Sequence, residues 1–146
     1  ALIGAPVAMA TLTVQPAYAK SDEIYTSFRD NFGAGSYDVV SFHLGSPVKG
    51  DRKITTDWKG AQWRFASEAN RDTFLEDPDK YAPAYGGYCA WALANNKLAK
   101  GSPKHWSIVD GVLYLNFNKN IKNKWLRDTK GFIERGDALW PSILED

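Results

Sequence analysis

Trp106-Ser-Ile-Val-Asp-Gly-Val-Leu-Tyr-Leu-Asn-Phe117 decides the fold class. Two β-favouring runs flank Asp110-Gly111, a dipeptide that tolerates the positive φ a tight hairpin turn needs at both central positions. An antiparallel hairpin is predicted here. A second one precedes it, where Ile54, Thr56 and Trp58 alternate with Lys53, Thr55 and Asp57, and Lys59-Gly60 leads into Gln62-Trp-Arg-Phe65. Its inner face carries Trp58, Trp63 and Phe65.

Helical signals surround both hairpins. Ser67 precedes Glu68-Ala-Asn-Arg-Asp-Thr-Phe-Leu75, where its hydroxyl can accept a bond from an unpaired first-turn amide, and Asp77-Pro78 ends that helix. Asp79-Lys-Tyr81 makes a further turn. Asn118 caps a helix in which Ile121 and Trp125 share a face, and Phe132 to Leu144 reads as a last helix interrupted near Gly136 and Pro141. The spacing of Ile24, Phe28 and Phe32 predicts a short amphipathic helix from Lys20 to Asn31, and the spacing of Tyr85, Cys89 and Leu93 predicts another from Tyr85 to Ala94. Tyr37 to His43 reads as an extended or turning segment. The sequence displays no internal repeat, low-complexity tract or dividing linker. The expected fold is α+β: a small antiparallel sheet of two β-hairpins packed with several short helices, its core drawing on Trp58, Trp63, Phe65, Trp106, Leu113, Leu115 and Trp125.

The chain has 146 residues, a length that suits one domain over residues 20–146. Its 18 basic and 17 acidic side chains nearly cancel, so no long-range field recruits nucleic acid or an anionic membrane. Six Trp, seven Tyr and seven Phe supply a dense aromatic core. The run from Ala1 to Val14 is apolar and uncharged, and Ala17-Tyr18-Ala19 after Pro16 has the small-x-small form of a signal-peptidase site. Export, to a periplasm or beyond, is the expectation, with no stable membrane anchor after signal removal. The alternative is an apolar N-terminal arm that binds a protein partner or a second copy.

Taken together, Trp58-Lys-Gly-Ala-Gln-Trp-Arg-Phe-Ala-Ser67, Asn70-Arg71, Phe74, Asp77-Pro-Asp-Lys-Tyr-Ala-Pro83 and Tyr85-Gly-Gly-Tyr-Cys-Ala90 resemble a YHS domain. Trp106, Asp110-Gly111, Leu113-Tyr-Leu-Asn116, Lys124-Trp125 and Trp140-Pro141 extend the resemblance to the family's exported, stand-alone members, over roughly Tyr37 to Leu144. The resemblance implies company with heavy-metal transporters and some multicomponent monooxygenases. Metal-associated members carry cysteines where this chain has Ser41 with Phe42-His43, and Ala66.

Cys89 is the sole cysteine, so the chain makes no internal disulfide and no multi-thiolate zinc site. A thiolate is a soft ligand, and Cys89 with His43 and His105, the latter beside Lys104 in a turn, makes a candidate metal set for copper or zinc. Set against this is plain core packing, because no Lys or Arg adjoins Cys89 to lower its pKa. Tyr85-Gly-Gly-Tyr88 suits either a small pocket or helix packing. No Gly-x-Ser-x-Gly pattern or calcium loop is present, so catalysis is the lesser expectation. The functional expectation is an exported, non-catalytic binding domain for a transition metal. Its alternatives are an accessory module for a small ligand or protein, and a thiol-redox protein using Cys89.

Overall fold

Both expected hairpins form, and their turns are built alike. In the computed structural model, which describes Gly4 and residues 20–146, β1 (Asp51–Trp58) pairs with β2 (Ala61–Phe65), and β3 (Ser102–Val109) with β4 (Val112–Asn116). Lys59 and Asp110 take φ of 48° and 50°, and Gly60 and Gly111 both take 78°, the left-handed pair that matches strand twist in a two-residue turn. Six helices accompany them: α1 (Val39–His43), α2 (Glu68–Glu76), α3 (Pro78–Tyr81), α4 (Ala90–Ala94), α5 (Lys119–Leu126) and α6 (Thr129–Leu139). The fold is α+β. The hairpins stay apart as two two-stranded sheets instead of joining into one. Residues 1–19, on which the export expectation rests, lie outside the described residues apart from Gly4.

Contrary to the sequence reading, the chain is an internal repeat. The order turn, helix, hairpin, helix, helix occurs twice, displaced by 51 residues throughout. Asp51 pairs with Phe65 and Ser102 with Asn116, then both ladders shift register at the same place and resume at Thr55↔Arg64 and Trp106↔Leu115. Isolated bridges Tyr37↔Lys49 and Tyr88↔Lys100 obey the same displacement. So do the left-handed pairs Ala34 and Tyr85, Gly35 and Gly86, and Ser36 and Gly87. Ser67 caps α2 through Asn70 N–H at 3.1 Å, and Asn118 caps α5 through Ile121 N–H at 2.8 Å.

Packing follows the repeat. Trp63 and Phe74 lie 5.6 Å apart between ring centroids in the first unit, and Tyr114 and Trp125 lie 5.1 Å apart at the matching positions of the second. Each unit has its own cluster, and Phe42 of the first meets Leu113 and Leu115 of the second to join them. Burying several large aromatic side chains per unit contributes about 1.5–3 kcal/mol each. Trp106 is half-buried against Phe42.

Two helix expectations fail for stated reasons. Residues 20–31 are irregular, because their backbone bonds go elsewhere: Ser21 N–H donates to Leu144 O at 3.1 Å and Tyr25 N–H to Gly86 O at 2.9 Å. The segment is a strap along both units that buries Ile24 in the first unit's cluster, packs Tyr25 on the second's and leaves Phe28 94% exposed. Glu23 O passes so close to Gly86 that a Cβ there would collide with it. The expected helix from Tyr85 to Ala94 is also broken. Tyr85 and Gly86 are left-handed within a tight turn, Ala84–Gly87, and helix resumes only at Ala90. Conversely, Tyr37 to His43 contains a helix, and α6 runs unbroken through Gly136, whose missing side chain lets the Tyr85 hydroxyl lie against it.

Asp38 explains the first of these unforeseen helices. Fully buried, its Oδ1 accepts from the N–H of Val40 at 2.9 Å and of Ser41 at 3.3 Å, two donors that the start of α1 leaves unpaired. Its Oδ2 accepts from Ala66 N–H at 2.9 Å and Asn70 Nδ2 at 2.8 Å, so one carboxylate ties α1 to the end of β2 and to α2. Asp38→Ala takes the acceptor from four donors, two of them buried, and should lower stability by about 3 kcal/mol, seen as a lower urea midpoint.

Candidate functional site

Where the two units and the strap meet, a cleft of about 240 Å³ opens. The first hairpin brings Trp58 and Lys59, α3 brings Asp79, the inter-unit turn brings Tyr85, and α6 brings Asp137 and Trp140. Lys59, set on the left-handed side of its turn, puts Nζ 2.8 Å from Glu23 Oε1, 3.7 Å from Asp79 Oδ1 and 4.7 Å from the Trp58 ring centroid. These ion pairs are solvent-exposed and add little stability. Tyr85 donates its hydroxyl to Asp137 Oδ1 at 2.9 Å, and burial together with that carboxylate pushes the phenol pKa well above its usual value. Glu23 and Asp79 thus meet the Lys59 ammonium, and a third carboxylate, Asp137, lines the same cleft beside Tyr85 and Trp140. The Tyr85-Gly86 turn lines this cleft, one of the two roles its sequence allowed.

Cys89 lies elsewhere. It is buried at the start of α4, the position matching Asp38, and its Sγ is 3.5 Å from Asn116 Oδ1. Asn116 Oδ1 also accepts from Trp91 N–H at 3.0 Å, doing for α4 what Asp38 does for α1. Burial raises the thiol pKa, only partly offset by backbone N–H groups of Ala92, Phe117 and Trp91 that face the sulfur. The side chain is therefore a neutral thiol near pH 7.

His43 sits on α1 with Nε2 3.2 Å from Tyr81 O and its ring edge-on to Tyr81, while His105 belongs to β3 rather than to a turn. Among the described residues no three His, Cys, Asp or Glu side chains are grouped to hold a metal ion, and Cys89, His43 and His105 do not fit one shared metal. Nor, among the described residues, is any helix long and apolar enough to cross a membrane.

A family model, the YHS domain, matches residues 39–85. This stretch is a YHS domain. It spans the first unit from α1 to the inter-unit turn, so the second unit repeats the architecture beyond the YHS match. Of the positions where metal-associated YHS domains carry cysteines, Ser41 here is buried and bonds Asp38 O through its hydroxyl at 2.5 Å. Ala66 there offers Asp38 only its backbone N–H. No curated protein and no solved structure matches the chain.

Glu23, Asp79, Asp137 and Lys59 escaped the sequence reading, because they come from four separated segments and carry no shared spacing. His43 has its pKa lowered, first by burial, with Lys80 adding to the effect and the Tyr81 carbonyl opposing it. The folded state thus takes up this proton less readily than the unfolded chain. Its contribution is present above the unfolded value of 6.5 and is lost as pH falls through the lower folded value. Urea midpoints should drop below pH 6.5, and less steeply in His43→Gln; by NMR, His43 should titrate with a midpoint under 6.5.

Proposed function

We propose that the protein is an exported, non-catalytic binding domain that holds a small organic cation in the cleft between Trp58 and Trp140. The observation carrying this reading is Lys59: an ammonium already rests over the Trp58 ring and against Glu23, held by the forces a ligand cation would use. Trp140, Tyr85 and Asp137 add further aromatic rings and a carboxylate to the cleft lining, which among the described residues holds no second cation. An excess of carboxylates over ammonium favours a positively charged or zwitterionic guest. The volume suits a small molecule. Export draws its support from the apolar run and Ala17-Tyr18-Ala19.

The competing reading is capture of copper or zinc by Cys89 with His43 or His105, and its support is the metal-associated company of YHS domains. The donor geometry gives the cleft the stronger claim. Two measurements separate them. Choline, used as a quaternary ammonium probe, should shift the amide resonances of Lys59, Tyr85 and Asp137 saturably, and Trp140→Ala should weaken its binding about tenfold. Native mass spectrometry should find equal copper and zinc uptake by wild type and Cys89→Ser. Absence of a saturable choline shift, or metal uptake lost with the sulfur, overturns the cleft reading.

A further inference from the structure

The near balance of charge over the whole chain conceals a local excess in the second unit. Residues 97–124 carry six lysines against one acid, Asp110, which sits in the hairpin turn. The two units differ most at one helix: α2 reads Glu-Ala-Asn-Arg-Asp-Thr-Phe-Leu-Glu, and α5, its counterpart, reads Lys-Asn-Ile-Lys-Asn-Lys-Trp-Leu. Glu68 opens α2, where a carboxylate suits the positive end of the helix; Lys119 opens α5, where an ammonium does not. Lys119 and Lys122 share a face and repel each other. Among the described residues none of these lysines makes an ion pair. Fold stability does not account for the arrangement, whereas a bound anion would offset its cost.

An open groove of about 280 Å³ lies among these lysines, walled by Trp91, Leu98, Phe117 and Ile121. Its surface is almost wholly apolar, and among the described residues that line it none is acidic. Three ammonium groups stand on its walls. Lys97 is itself a lining residue, Lys100 Nζ is 5.4 Å from the Phe117 ring centroid, and Lys124 Nζ is 5.4 Å from the Trp91 ring centroid. All three side chains are exposed. In the first unit the positions of Phe117 and Ile121 are held by Ala66 and Asn70, and Asn70 turns inward to donate to Asp38 at 2.8 Å. The positions of Lys97 and Lys124 are held by Ser46 and Thr73. Two apolar walls and two of the three cations thus belong to the second unit alone.

We propose that this groove binds a single-chain fatty carboxylate, with its alkyl chain between Trp91, Phe117 and Ile121 and its carboxylate at the rim among Lys97, Lys100 and Lys124. An apolar groove alone accepts any chain, and a lysine cluster alone accepts any anion. Side by side they select a molecule that carries both. The walls form a trough, which encloses one chain and offers no projecting apolar ridge to a bilayer. A nucleic-acid backbone would satisfy the lysines and leave the trough unfilled. The site shares no lining residue with the organic-cation cleft, prefers the opposite charge, and stands or falls separately.

The test is titration of the isotope-labelled, folded protein with sodium octanoate below its micellar range, read from amide resonances. Octanoate should shift Trp91, Leu98, Phe117 and Ile121 saturably and leave Lys59, Tyr85 and Asp137 unmoved. Decanoate should bind about tenfold more tightly, because it buries two further methylenes, and acetate should leave the groove unshifted. Lys97→Gln, Lys100→Gln and Lys124→Gln combined should weaken octanoate about fivefold while 1-octanol binds as before. Ile121→Asn, which installs the first unit's residue, should weaken octanoate and 1-octanol alike. The proposal is overturned if octanoate gives no saturable shift at the groove, if acetate binds as well as octanoate, or if the triple lysine variant keeps full octanoate affinity. It is equally overturned if the protein sediments with anionic phospholipid vesicles while monomeric octanoate leaves the groove unshifted, since the face would then be a membrane-docking surface.

Discussion

A helix that begins inside a protein leaves amide hydrogens with nowhere to go, and each unit of this chain must solve that problem at one crowded corner. The first unit does so with Asp38, a buried charge whose four donors come from α1, the end of β2 and α2. Because those donors belong to three elements, their common acceptor fixes how hairpin and helices sit together. The second unit meets the same demand from outside: Asn116, at the end of β4, reaches back to the first turn of α4. A residue matching Phe65 has taken over work that Asp38 does in the first copy. The backbone is preserved while the acceptor has moved from the start of the helix to the end of a strand.

The cleft arises where the symmetry is imperfect. Helix α3 is a single turn, whereas its counterpart α6 extends to Leu139 and carries Asp137 and Trp140 across to the first hairpin. The first hairpin turn offers Trp58-Lys59 at positions that hold Val109-Asp110 in the second. An aromatic and a cation therefore stand at one turn only. The recess between units is built from these departures, with the strap closing one side through Glu23 and Ile24.

Much of the fold was legible because its signals are local. Asp110-Gly111 and Lys59-Gly60 specify turns by backbone tolerance, and Ser67 and Asn118 specify helix starts by hydrogen bonding within three residues. The repeat was hidden because few matching positions keep identity, Tyr37 with Tyr88 and Gly60 with Gly111 among them, while core positions keep only aromatic character: Trp63 answers Tyr114 and Phe74 answers Trp125. Periodicity misled at Ile24, Phe28 and Phe32, where four-residue spacing coexists with a backbone bonded to Gly86 and Leu144. Of the candidate site residues, Cys89 was visible through its uniqueness. Its surroundings were not, since Asn116 and Phe117 adjoin it only through the second hairpin. Asp38 gave no sign of burial in its sequence neighbourhood.

The hydrogen bond between Ser21 and Leu144 brings the strap's start beside the closing turn, Ser142–Glu145. Residues 21–144 consequently trace a nearly closed loop of two similar lobes, with the stretch at Ala82-Pro83 as the seam between them. Cutting at that seam and bridging the old ends by a short linker would reverse the order of the lobes while sparing both hairpins and their flanking helices. Chain order, in such a molecule, matters less than having both lobes present.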